Sequence, residues 1–370
     1  MGLVHLGTHS AHLWVTYAAL MLHPVYGHEP LLSRLEGALT SGRFPQAALF
    51  VGPSGVGKQR LALWAAQGLL CDAGPGRPCG ECGSCRQVLG LNHPDLHWFV
   101  PVVRPKAGDL DKQVDEVEAL LAETMADRRA NPVYGPPDAM ASHPLASVRL
   151  LQRRVNLKPY QGARKVIILG NAERLVVQEA SQEAANALLK VLEEPPADTF
   201  LILTTREAQA LLPTIRSRLV PVRVGGVGDA VVRRFLSTQV TPAPKGASLD
   251  QRVLLAEGSI GRALAAGGAG TREDLADRWL AAFRGGPGRW AAAALSQPPW
   301  AARGEFTAAL DALALKLRDR AAADAVGHPG RLPRWVAAIQ AVERTRQEAQ
   351  GNANPQLALA VLARDLEDLA

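Results

Sequence analysis

The sequence predicts a parallel α/β domain with helices on both faces, followed by an all-helical region, and three features carry that expectation. Five short apolar runs, AALFV (47–51), LHWFV (96–100), KVIIL (165–169), TFLIL (199–203) and LVPVRV (219–224), have the length and composition of buried strands. Helical patterns such as LALWAAQGLL and ASQEAANALLKVLEE lie between them, and strands that alternate with helices pair in parallel under a helical cover. Beyond the VGGVGD turn no strand pattern remains, while NPQLALAVLARDLEDLA places Leu359, Leu362, Leu366 and Leu369 on one helical face.

The elements follow in order. The opening MGLVHLGTHSAHLWVTYAALML has no Lys or Arg ahead of its apolar run and is too short to cross a bilayer, which takes about 20 apolar residues. Residues 1–20 are therefore expected to be an extension or a misassigned start, and the protein to be cytoplasmic. An α/β domain spans 21–225, and the Gly-rich AAGGAGTRED near 266–274 splits the helical remainder into a small domain, 226–270, and a bundle, 271–370. Between Arg104 and Pro144 a helix with Leu110, Val114, Val117 and Leu121 at helical spacing, then a Pro-rich loop, reads as a tolerated surface insertion. At 370 residues the chain has room for two or three domains, and 47% hydrophobic with 21% charged residues excludes a disordered or fibrous chain. Lys plus Arg exceeds Asp plus Glu by 41 to 35, which suits nucleic-acid contact and a solvated basic surface equally.

The stretch GPSGVGKQ (52–59) follows a strand and opens a helix, the setting of a phosphate loop. Gly52, Gly55 and Gly57 let backbone N–H groups turn toward phosphate oxygens, and Lys58 reaches the terminal phosphates. The hydroxyl that should hold magnesium is replaced by Gln59. After KVIIL the chain reads Gly170, Asn171, Ala172, Glu173, so the carboxylate expected at the strand end is missing as well. Glu173 alone reads as a surface or capping carboxylate. Two independent losses point to a site that does not hydrolyse ATP.

All four cysteines, Cys71, Cys79, Cys82 and Cys85, fall in CDAGPGRPCGECGSC. This spacing suits four thiolates around a structural zinc; two disulfides and an iron–sulfur cluster are the alternatives. Such a zinc has no open position for catalysis. Arg216 and Arg218 in PTIRSRL, and Arg262 in GSIGRALAAG, read from spacing alone as solvated charges or phosphate contacts.

ANALLKVLEEPP (185–196), TIRSR (214–218), the cysteine module behind the phosphate-loop helix and NANPQLAL (352–359) together resemble the AAA+ clamp-loader family of bacterial DNA polymerase III, from Met21 onward. The resemblance implies a nucleotide domain, a helical lid (226–270) and a helical collar (271–370). It implies partners too: the gamma/tau and delta subunits in a ring of five, and through them a sliding clamp and primed DNA. It places Arg218 at the family's Ser-Arg-Cys arginine, which reaches a neighbouring subunit's ATP; here Leu219 follows in place of Cys. Thr204 or Thr205 falls at the first nucleotide sensor and Arg262 at the second. The expected function is a non-hydrolysing subunit that helps to load the clamp, with structural zinc and with ATP bound, if at all, without turnover. The rivals are an ATP-hydrolysing gamma/tau-type subunit and a free-standing zinc-containing nucleic-acid binding protein.

Overall fold

The computed structural model describes residues 22, 24–135, 141–175, 182–240, 248–267, 270–297, 303–350 and 353–367. The expected extension, 1–20, lies outside the described residues. The chain divides into two compact units, Met1–Thr241 with Leu249–Leu264, and Pro242–Ser248 with Ala265–Ala370.

The first unit begins with α1 (Glu29–Thr40), β1 (Ala47–Val51), α2 (Lys58–Leu70), α3 (Gly83–Leu89) and β2 (Leu96–Phe99). It continues through α4 (Leu110–Ala130), α5 (Leu145–Asn156), β3 (Lys165–Leu169), α6 (Glu183–Glu193), β4 (Thr199–Thr205), the turn α7 (Pro213–Arg216) and β5 (Val220–Arg223). All neighbouring strands are parallel, in the order β2-β3-β4-β1-β5. In this order the loop that leaves β1 lies beside the end of β4, with the end of β3 one strand further. Every residue of β3 is buried, as helices on both faces require. β5 differs from the buried strand expected: it is an edge, with Val220 51% exposed, and an edge tolerates Pro221 because no neighbour needs its N–H.

Two buried ionic groups fix the connection into β3. The Lys165 ammonium donates to the carbonyls of Arg154, Val155 and Leu157, satisfying the open C-terminus of α5. The buried Asp95 carboxylate accepts the backbone N–H groups of Tyr160, Gln161 and Gly162.

The 104–144 insertion is not a surface appendage. Val114, Val117 and Leu121 of α4 are buried in the main apolar core, and Arg153–Asp111 and Arg154–Glu118 ion pairs tie α4 to α5. Leu110 is 36% exposed and leaves the expected stripe, whereas Arg128 continues it, buried.

Three helices, α8 (Asp229–Gln239), α9 (Leu249–Ala256) and α10 (Ile260–Gly267), share a small core of Val232, Phe235, Leu236, Val253, Ala256 and Ala263. The second unit holds α11 (Gly270–Phe283), α12 (Pro287–Leu295), α13 (Arg303–Gly327), α14 (Leu332–Gln350) and α15 (Pro355–Leu366) around Trp279, Phe283, Phe306, Leu313 and Val342. Leu359, Leu362 and Leu366 enter that core; Leu369 lies outside the described residues. The start of α15 is set by Asn354, whose Oδ1 accepts the Gln356 N–H at 2.8 Å, with Pro355 at the first helical position. No described helix is long and apolar enough to cross a membrane.

His143, before α5, is 2% exposed, and its Nε2 donates to the Gly170 carbonyl at 2.7 Å. Burial pulls its pKa down to about 4. The unfolded chain therefore takes up this proton first, so the contribution is complete above about pH 6.5 and is lost as pH falls toward 4. Denaturant unfolding should show a loss of stability of order 3 kcal/mol across this window from His143. His143→Gln, which keeps a donor but cannot titrate, should flatten that part of the profile.

Candidate functional site

The phosphate loop is built by satisfying its carbonyls from outside. Lys58 Nζ donates to the carbonyls of Gly52 and Pro53 at 2.7 and 2.6 Å. Ser259 Oγ donates to the Ser54 carbonyl at 2.9 Å, the Gly261 N–H to that of Gly55 at 2.9 Å, and His28 Nε2 to that of Val56 at 2.7 Å. With five successive carbonyls engaged, the loop's remaining hydrogen-bonding capacity is its N–H groups, at the N-terminus of α2, where anions bind. Gly55 meets two demands at once. Its φ is +75°, and a Cβ there would lie 2.8 Å from the Gly261 Cα. Lys58 is buried, and that burial lowers its pKa to about 8, opposed by the nearby Glu173 carboxylate.

The two replaced metal positions meet in space. Gln59 Nε2 donates to Asn171 Oδ1 at 2.7 Å, across the end of β3. Room for the Gln59 amide comes from Gly170, since a Cβ there would sit 2.9 Å from Gln59 Nε2. Asn171 is held in turn by its N–H to Thr204 Oγ1 at 3.1 Å and by its side-chain amide to Glu173 Oε1 at 3.4 Å. In place of a hydroxyl and a carboxylate stand two neutral amides bonded to each other; they bring no negative charge, and the Asn171 oxygen already accepts a hydrogen bond, so the pair is poorly suited to magnesium, which is held through carboxylates. Glu173 is the remaining carboxylate, and it is not on the surface. Its side chain is 6% exposed and paired with Arg206 at 3.1 Å.

The other expected residues lie on separate elements of the first unit. Thr204 faces Asn171, whereas Thr205 closes the turn after β4 by donating to the Glu207 carbonyl at 2.9 Å. Arg262, in the α8–α10 cluster, pairs with Glu257. Arg218 lies before β5, where its guanidinium meets Glu193 at 2.6 Å and donates to the Thr214 carbonyl at 2.7 Å, with a third of the side chain exposed.

Sequence reasoning missed Arg128. Its guanidinium carbon lies 4.2 Å from the ring centres of both Trp98 and Tyr134, and Nη1 is 3.5 Å from Gln59 Oε1. A usable signal existed, because Arg128 stands seven residues after Leu121 on an otherwise apolar stripe.

The four cysteines form a second site at the far end of α2. Cys71 follows that helix and Cys82 caps α3 through its sulfur, which accepts the Cys85 N–H at 3.3 Å. Sulfur separations are 3.6 Å for Cys71–Cys79, 3.9 Å for Cys71–Cys82 and 3.8 Å for Cys79–Cys85, and all four lie within 4.8 Å of one another. A tetrahedral ion with metal–sulfur bonds of about 2.3 Å spaces its ligands about 3.8 Å apart, so the cluster could hold one metal ion. The thiols are free, not paired as two disulfides would be. Backbone N–H groups of Cys82 and Glu81 pull Cys79 down to about 6, whereas burial pushes Cys85 up. Asp72 accepts from the Ser84 hydroxyl at 2.6 Å and braces the turn.

Gly170→Asp should displace the Gln59 amide and break its bond to Asn171, costing about 1 kcal/mol in urea unfolding. In a Gln59→Ser background the same substitution should cost little, because the obstructing amide is gone; additive losses would show that the two positions are not coupled.

Residues 27–227, more than half of the chain, match the family model described as DNA polymerase III, delta subunit. The chain is 34% identical over 233 residues to DNA polymerase III subunit delta' of Pseudomonas aeruginosa, an alignment covering 62% of this chain and 58% of that protein. It is 29% identical over 212 residues to subunit delta' of Bacillus subtilis (56% and 52% covered). Against DNA polymerase III subunit tau of Escherichia coli the identity is 29% over 246 residues (65% and 31% covered). The chain spans about half the length of the delta' relatives it matches. The chain belongs to the DNA polymerase III delta-subunit family.

Proposed function

We propose that this chain is a non-hydrolysing, delta-prime-type subunit of the DNA polymerase III clamp loader, acting in the cytoplasm. It works with gamma/tau and delta subunits in a five-membered ring that loads the sliding clamp onto primed DNA. The observation that carries the reading is the Gln59–Asn171 amide bridge over Gly170, where hydrolysis would need a metal-bound hydroxyl and carboxylate. Family membership and the delta' names support the subunit type. The likeness to tau supports the rival hydrolysing reading, but neither metal-binding position of such an enzyme is kept.

In this reading residues 21–225 form the nucleotide domain, 226–270 the lid and 271–370 the collar. Gly52, Gly55, Gly57 and Lys58 keep the phosphate-binding shape. Thr204 and Arg262 stand as sensors whose partners are now Asn171 and Glu257. Arg218 serves a neighbour: its planar guanidinium supplies positive charge to the phosphoryl group being transferred there. Glu193 holds it meanwhile in a surface ion pair weak enough to exchange. The four cysteines hold zinc, whose role is to staple the turn between α2 and α3.

Metal analysis of protein purified without added metal should return about one zinc per chain. Cys82→Ala should lose it together with thermal stability. Iron, or zinc retained by the variant, would overturn the assignment.

The loader reading is tested by reconstitution with partner subunits. The isolated chain should show no ATP turnover above a Lys58→Ala control. Arg218→Ala should assemble normally yet depress clamp- and DNA-stimulated hydrolysis by the ring, incompletely because other sites receive their arginines from other subunits. Arg218→Lys should rescue in part, since it keeps the charge and lacks the fork. Tight DNA binding with no partner assembly would favour the free-standing zinc protein.

A further inference from the structure

The magnesium positions do not fit a metal, yet a different cation stands beside them. We propose that Arg128, carried in by the helix of the 104–144 insertion, takes the place of magnesium in a metal-independent site for the phosphates of a nucleotide. The proposal deepens the reading of the phosphate loop as retained but non-hydrolysing, and rests on it.

Three observations carry it. First, the loop keeps an anion-binding form: five successive carbonyls are engaged, two of them by Lys58 itself, which leaves the N–H groups at the start of α2 and the third N–H of the Lys58 ammonium for a ligand. Second, Arg128 is 6% exposed and reaches Gln59, the residue at the lost metal position, at 3.5 Å. The Trp98 and Tyr134 rings, each 4.2 Å from its guanidinium carbon, hold the plane of the fork in place and keep it from solvent. A guanidinium fixed in this way is suited to phosphate oxygens, which accept its paired N–H groups.

Third, the positive charge here is unbalanced. Lys58, Arg60, Arg128 and Arg206 surround the loop end and the insertion, against the Glu173 carboxylate that Arg206 already engages. Among the described residues neither Arg60 nor Arg128 has a carboxylate partner within ion-pair distance. Arg60, next in the chain to Gln59, is 9% exposed with Nε and Nη1 buried and unpartnered. Both guanidiniums share Tyr134 as an electrostatic neighbour. Burial pulls Arg60 down to about 10 and lowers Arg128 as well, which leaves Arg60 cationic at neutral pH. Buried cations without a counter-charge are costly, and an anion bound at the loop would relieve that cost.

The test is calorimetric titration of the full chain with ADP, ATP and pyrophosphate, with magnesium present or simply omitted, since a chelator would also strip thiolate-held metal. ADP and ATP should bind with affinities that differ by less than about threefold between the two conditions, and ADP should bind at least about tenfold more tightly than pyrophosphate. Arg128→Met, which keeps the stem packing, should weaken ADP by roughly tenfold to a hundredfold, the worth of a charge-assisted hydrogen bond. Arg128→Lys, which keeps the buried charge, should lose less; thermal melts of both variants check folding. Absence of ADP binding by the unmodified chain, binding that requires magnesium, or unchanged affinity in folded Arg128→Met would each overturn the proposal. Equal affinity for ADP and pyrophosphate would overturn the nucleotide assignment. ATP turnover in the same samples would overturn the non-hydrolysing reading, and that outcome is separate from the dependence on Arg128.

Discussion

The outward anchoring of the loop carbonyls from Gly52 to Val56 is the constraint on which the first unit is organised. Each anchor comes from a different part of the chain: Lys58 from the helix the loop opens, His28 from the residue before α1, Ser259 and Gly261 from the helical cluster. One loop conformation therefore ties together β1, α1, α2 and the α8–α10 cluster. It also explains why glycine is required where the cluster touches the loop, since a side chain at Gly55 would separate them. A shape kept by so many partners does not depend on the side chains at positions 59 and 170.

The two departures, Gln59 and Gly170, compensate one another locally. A glycine after β3 leaves room beside it, and a half-buried glutamine without a partner would carry an unpaired amide. Together Gly170 and Gln59 remove both costs, because the amide fills that room and finds Asn171. The two amides satisfy one another. Glu173 is engaged too, its Oε1 by Arg206 and Asn171. Arg218 takes no part in these contacts: it lies before β5, a third of its side chain exposed, and is held by Glu193 and the Thr214 carbonyl.

Two additions sit around this frame. The cysteine module extends α2 beyond its C-terminus and is bound to the rest by Gln67 to the Cys85 carbonyl and by Gln161 to Ser84. The insertion reaches the opposite end of α2 through Arg128, with an apolar stripe in the core and that cation at the stripe's end. Both ends of one helix are thus elaborated, one with sulfur and the other with charge.

Much of the fold was legible in the sequence because its signals are local. Strand length, the glycines before Lys58, the CxxC spacing and the leucines of α15 each depend on neighbours in the chain, and each appears where periodicity and turn chemistry place it. The sequence also identified Gln59 and Gly170 as departures, since a motif defines what should stand there. What it could not determine is that these two departures touch, that Glu173 is buried, that β5 is an exposed edge, or that the insertion packs into the core. These facts depend on which segments the parallel sheet brings side by side, 112 residues apart for Gln59 and Asn171. Arg128 shows the limit most clearly: a charge on a helical stripe is ambiguous by itself, and only the tertiary structure places it between two rings and against the phosphate loop.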